Sequence, residues 1–160
     1  MCFKKLRRLC CQGSSLPTEK NLTVIEKVIF LKSVDIFEHA TIEQLGRIAE
    51  LTEEVHFEPG EAIFKEGEPG DAFYLLLSGR ALIERNGNTL HELKEKEAFG
   101  TLDVLDFHPR GVTAIAVDHV RALKLNSQPF HDLLSLDIEM VQVVFRMLCG
   151  LVRRVLRLVP

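Results

Sequence analysis

No stretch of this 160-residue chain approaches the ~20 uninterrupted apolar residues of a spanning helix, although 46% of it is apolar. Its four cysteines, Cys2, Cys10, Cys11 and Cys149, form no C-x-x-C pair. Nothing in that spacing reads as a disulfide framework or a zinc ribbon, so a reducing, cytoplasmic setting is the expectation. The six histidines are scattered, at His39, His56, His91, His108, His119 and His131, and none are paired two or four residues apart. That spacing argues against a metal centre. G-x-S-x-G and P-loop patterns are absent, and no cysteine is placed as a nucleophile beside a base, so no catalysis is expected. Internal repeats and low-complexity tracts are missing as well.

Charge is what the chain does have, unevenly placed. The net charge is −3, but residues 35–106 hold six Lys/Arg against seventeen Asp/Glu. A middle of net −11 argues against a nucleic-acid groove there. At this length the chain is large enough for one real core and too small for two.

The pattern of elements reads as follows. A first helix is expected over 22–31, and Thr41 with Gln44 forms a capping box for a second, whose Ile42, Leu45, Ile48 and Ala49 share a face. Strands are expected near 53–57, 61–65, 72–77, 80–85, 89–93, 112–117 and 119–125. Asn86-Gly87 signals a type I′ hairpin. Pro59-Gly60, Pro69-Gly70 and Ser78-Gly79 punctuate short apolar runs, which suits a compact antiparallel β-roll. A short helix is expected near 99–105, and another opens after Ser127 with Pro129 just inside it. Asp137 can cap a long last helix with an apolar stripe of Val141, Val144, Phe145, Leu148, Leu151, Val152 and Val155, and Arg146, Arg153 and Arg157 opposite.

The most informative stretch is E-A-F-G-T-L-D-V-L-D-F-H-P-R-G-V-T, from Glu97 to Thr113. A glycine at the mouth of a short helix lets backbone N–H groups face an anion, and an arginine arriving from the far side can clamp it. Upstream, Phe57 to Ala81 carries Gly60, Gly67, Gly70-Asp71, Phe73-Tyr74 and Ser78-Gly79 in order. Together these resemble the cyclic nucleotide-binding domain family, that of the protein kinase A regulatory subunit and the bacterial catabolite activator protein. In that family the cassette reads F-G-E-L-A-L, then P-R-A-A-T, and the spacing from Phe99 to Arg110 is the same here.

The resemblance covers roughly residues 22–157 and implies a mainly β fold: an antiparallel, jelly-roll-like β-roll with N-terminal helices and a C-terminal lid helix, about 138–157. It implies a ligand site for phosphate and ribose at Gly100, Thr101, Leu102, Asp103, Arg110, Gly111 and Val112, with Asp71 supporting Arg110. Cyclic AMP or cyclic GMP is the implied ligand. Two positions depart from the pattern: Thr101 stands where the family has a glutamate that accepts from the ribose 2′-hydroxyl, and Asp103 where it has alanine. The expectation is a regulatory, non-enzymatic domain with a degenerate site. The open alternatives are a working cyclic nucleotide sensor within a larger protein, or a scaffold that docks a protein partner or another part of its own polypeptide. Arg110 has two readings, ligand clamp or internal partner of Asp71. The N-terminal cysteines lack the spacing of iron–sulfur-bearing relatives, and no DNA-reading helix-turn-helix follows the roll.

Residues 1–21 read as an arm and linker preceding a domain at 22–157. Lys4, Lys5, Arg7 and Arg8 beside Cys2, Cys10 and Cys11 are the ingredients of a two-signal membrane anchor. A tether from a preceding segment fits the same residues.

Overall fold

The computed structural model describes residues 21–158. The N-terminal arm, and with it the expected membrane contact through its cysteines and basic residues, lies outside the described residues. Thr23 opens helix α1 (Val24–Lys32) with a capping box: its side chain accepts from the Glu26 N–H, and the Glu26 carboxylate accepts from the Thr23 N–H at 2.8 Å. A 3₁₀ turn, Asp35–Phe37, leads to α2 (Ile42–Leu51), where Thr41 and Gln44 form the expected box. Leu45, Ile48 and Ala49 are buried, but Ile42 at the first turn is 62% exposed and the capping Gln44 takes its place. Reciprocal hydrogen bonding at the cap turns Gln44 inward, and Ile42 is left on the outer side.

Eight strands follow: β1 (Thr52–Phe57), β2 (Ala62–Phe64), β3 (Ala72–Ser78), β4 (Ala81–Arg85), β5 (Asn88–Leu93), β6 (Ala98–Phe99), β7 (Thr113–Ala116) and β8 (Val120–Asn126). They form two antiparallel four-stranded sheets, in the orders β1-β8-β3-β6 and β2-β7-β4-β5. This is the expected β-roll. The hairpin between β4 and β5 turns on Asn86 and Gly87, both at positive φ as a type I′ turn requires. Helix α3 (Thr101–Asp106) is inserted between β6 and β7, and α4 (Ser127–Leu136) and α5 (Ile138–Leu158) close the chain. No described helix is long and apolar enough to cross a membrane.

Alternation along β3 and β8 divides the core in two. Phe73, Leu75, Leu123 and Leu125 face the helices and meet Leu31, Leu45, Ile48, Phe130, Met140 and Val143. Ala72, Tyr74, Leu76, Val120 and Ala122 face into the roll, against Phe64, Ala81, Phe99, Ala114 and Ala116. Being covered on both faces, β3 reads as a continuous apolar run rather than an alternating one. Inside the roll small alanines make room for an aromatic stack in which Tyr74 lies 5.4 Å from Phe99 and 6.0 Å from Phe64.

The last helix is rotated from the stripe its sequence favours, burying one edge of it and leaving the other out. Asp137 caps it as expected, accepting from the Glu139 N–H at 2.9 Å. Met140, Val143 and Met147 are buried, whereas Phe145, Val152 and Val155 of the expected stripe are 64%, 57% and 61% exposed. Val141, Val144, Leu148 and Leu151 are half-buried. The cap and the short link from α4 fix the helix rotation, and that rotation brings the flexible methionines to the core.

An ion pair between β1 and β8 also holds the backbone just ahead of the first helix. The Glu54 side chain, 2% exposed, accepts from Arg121 Nη2 at 2.6 Å and from the Leu22 N–H at 2.9 Å. Burial pushes this carboxyl up, but the Leu22 and Arg121 hydrogen bonds and the Arg121 charge outweigh it and hold the group below its ordinary value. A folded-state pKa below the unfolded one gives stability that is complete at neutral pH and lost as pH falls through the acid range. Glu54→Gln is therefore expected to flatten the acid limb of a stability-versus-pH curve and to lower stability at neutral pH, as measured by urea denaturation.

Candidate functional site

The turn that enters α3 is set by Gly100, at φ +72°. A Cβ there would be strained by the left-handed backbone and would stand 2.6 Å from Arg110 Nη1, so the guanidinium would have to shift. Helix α3 lasts six residues and ends at Phe107, also left-handed at φ +59°. The chain then returns along the loop at 66–71. Gly67 N–H donates to the Arg110 carbonyl at 2.8 Å, Arg110 N–H donates to the Glu68 carbonyl at 2.7 Å, and Pro69 bridges Pro109. The two motifs that stood out in the sequence are thus sewn together by backbone.

Gly70 is where they touch most closely. A Cβ on it would meet the Asp103 carbonyl at 2.7 Å and the His108 carbonyl at 2.8 Å. Neither backbone atom can yield without moving α3 or its exit. Gly70→Ala is expected to cost about 1–3 kcal/mol, as overpacking does, and to loosen amide-exchange protection in α3 while sparing β4 and β5.

Arg110 is the centre of the arrangement. Its side chain is 0% exposed, the largest fully buried in the described structure. Nη1 donates to the Gly100 carbonyl at 3.1 Å and to Asp103 Oδ2 at 3.4 Å. Nη2 donates to the Ala72 carbonyl and to Asp71 Oδ1 at 3.5 Å. The guanidinium carbon sits 4.1 Å from the Phe64 ring centroid, a cation–π contact. Only Nε, buried, has no acceptor among the described residues. Burial pushes the phenol of nearby Tyr74 up, with the Asp71 charge adding to the effect and Arg110 opposing it.

The structure brings Gly100, Asp103, Arg110 and Asp71 together and leaves the other expected site residues apart from the guanidinium. Leu102 is 56% exposed on the outer side of α3. Thr101 is half-buried and borders a small apolar seam with Phe73, Phe130 and Met140. Gly111 is exposed, its carbonyl accepting from Arg85 Nε at 3.1 Å, and Val112 packs on the inner cluster. One residue escaped sequence reasoning. His131 of α4 makes a 2.8 Å hydrogen bond through Nε2 to the Val104 carbonyl, and its ring stacks on Phe107 at 4.3 Å. It satisfies a carbonyl at the open end of α3, and no sequence pattern marks it. No cluster of three or more metal-ligating side chains occurs among the described residues.

Known proteins share this architecture. Residues 54–137 match the family model described as "Cyclic nucleotide-binding domain". The cAMP-dependent protein kinase regulatory subunit of Dictyostelium discoideum is 27% identical over 117 residues, covering 68% of this chain and 34% of that protein. Its counterpart in Emericella nidulans is 38% identical over 113 residues, covering 69% of this chain and 26% of that protein. The chain thus spans about a quarter to a third of the length of these relatives. Among solved structures, the regulatory domain of Toxoplasma gondii PKA with cAMP superposes with a TM-score of 0.65 at 25% identity, over 69% of this chain and 45% of that one.

Proposed function

Because this chain belongs to the cyclic nucleotide-binding domain family, we propose that it is a non-enzymatic regulatory module with a degenerate ligand site, binding cyclic AMP and cyclic GMP weakly or not at all. The module spans 22–157, with 1–21 as its arm. Its relatives include cAMP-dependent protein kinase regulatory subunits, and the Toxoplasma domain was solved with cAMP. In this reading Gly100 and Arg110 would form the phosphate site, with Asp71 supporting Arg110.

The observation that carries the reading is the Asp103 carboxylate 3.4 Å from Arg110, against a guanidinium with no exposed surface. An incoming phosphate would meet this carboxylate rather than a free cation. At ~4 Å and an effective dielectric near 20, the repulsion is on the order of 4 kcal/mol. Thr101 adds to the deficit, because a neutral, short side chain forgoes a charge-assisted bond to the ribose of about 1.5–3 kcal/mol. The output is then carried by α5 and the surfaces around it, through movement relative to the roll or through a protein partner.

A second reading, a working sensor, is favoured by one feature: the buried Arg110 Nε lacks an acceptor, and a ligand oxygen would supply it. Thermal unfolding separates the two. The degenerate site predicts an unchanged midpoint with either nucleotide at submillimolar concentration, since stabilisation follows RT ln(1 + [L]/Kd). A rise of several degrees at that concentration would establish the sensor instead.

A further inference from the structure

Helix α5 has two apolar faces and only one of them is covered. Met140, Val143 and Met147 pack inward, while Phe145, Val152, Val155 and Leu156 are 64%, 57%, 61% and 65% exposed. Single exposed apolar residues are ordinary, but four of them between residues 145 and 156 share one side of the helix at helical spacing. Beside it runs a row of charge. From Met140 to Leu158 the helix contains four arginines and no acid. Arg146, Arg153 and Arg157 are exposed, follow one another at helical spacing, and form no ion pair among the described residues. They line one wall of an open groove of about 430 Å³, with Asp35, Glu38 and His39 opposite.

We propose that this face of α5 docks the domain on an anionic lipid surface. Phe145, Val152 and Leu156 enter the headgroup boundary, and the arginine row lies among the lipid phosphates. An exposed apolar row bordered by cations is the arrangement that holds a helix in the plane of such an interface. Charge selects the occupant. A second copy brings the same row of arginines, and residues 1–18 of the chain's own arm hold Lys4, Lys5, Arg7 and Arg8 and no acid, so neither offers this row a complementary charge. The arm is also a second basic element on the same chain, which an anionic surface accommodates and an acidic partner helix of ordinary size does not. The proposal is independent of the nucleotide reading.

The chain contains no tryptophan, so Phe145→Trp in the full chain provides a single reporter on this face. With vesicles of phosphatidylcholine and phosphatidylserine, the protein is expected to co-sediment and its emission to shift to the blue, and with phosphatidylcholine alone neither occurs. Changing Arg146, Arg153 and Arg157 to Gln in that background should weaken partitioning roughly a hundredfold, with circular dichroism and thermal midpoint unchanged. Changing Lys4, Lys5, Arg7 and Arg8 to Gln should preserve the shift. Sedimentation without a shift would mean that the arm alone binds, and would overturn the proposal. A shift that grows with protein concentration in the absence of lipid would overturn it in favour of self-association, and so would failure to sediment with either vesicle.

Discussion

Changing Asp103 to Ala and Thr101 to Glu together is expected to raise cyclic nucleotide affinity roughly a thousandfold, from millimolar or weaker to micromolar. Most of the gain comes from Asp103. Its carboxylate lies 3.4 Å from Arg110 Nη1 with only 20% of the side chain exposed, so it has little room to swing away from an entering anion. Removing it frees Nη1 for a phosphate oxygen and ends a repulsion of about 4 kcal/mol. The carboxylate introduced by Thr101→Glu then supplies the acceptor that the ribose lacks, worth about 1.5–3 kcal/mol. Thr101 borders the apolar seam beneath α5, so Thr101→Glu alone, with Asp103 still in place, should change affinity little. If the double variant gains nothing, Asp103 is not the obstacle, and closure of the pocket elsewhere must be.

The second large effect concerns stability. Arg110→Ala is expected to cost about 3–5 kcal/mol even with no nucleotide present, the loss typical of breaking a buried ion pair. The change strands the Gly100 and Ala72 carbonyls and the Asp103 carboxylate without their donor, and removes the cation over Phe64. Arg110→Lys should recover only part of this, because one ammonium cannot reach acceptors on both sides of the fork. Urea denaturation measures both. A loss under about 1 kcal/mol for Arg110→Ala would mean that the arginine is held in reserve for a ligand rather than used by the fold.

Much of this fold is legible in the sequence wherever a local rule and the tertiary structure agree. The Thr41–Gln44 cap, the Asn86-Gly87 turn and the Asp137 cap each depend on neighbours a few residues away, and all three form as read. The run Ala72 to Leu77 reads as a strand through its composition. What the sequence leaves open is the partnering of faces. Strand β6 is two residues long and exists through its pairing with Tyr74 and Leu75, so no periodicity announces it, and the expected helix over 99–105 starts two residues later, at Thr101. Helix α5 is one such case. The sequence favours the stripe with Phe145 and Val152, whereas packing rotates the helix toward the methionines. At the site, spacing brings Arg110 to the cassette and Asp71 beside it, as the resemblance implies. That Asp103 turns onto Arg110 depends on the closure of α3 over Gly70, a contact between distant parts of the chain that no local pattern encodes.

The most direct test of the degenerate site is calorimetric titration of cyclic AMP and cyclic GMP into the unmodified full chain. The account predicts no saturable heat with either nucleotide below millimolar concentration. Saturable binding with a micromolar dissociation constant would contradict it and identify the protein as a cyclic nucleotide sensor.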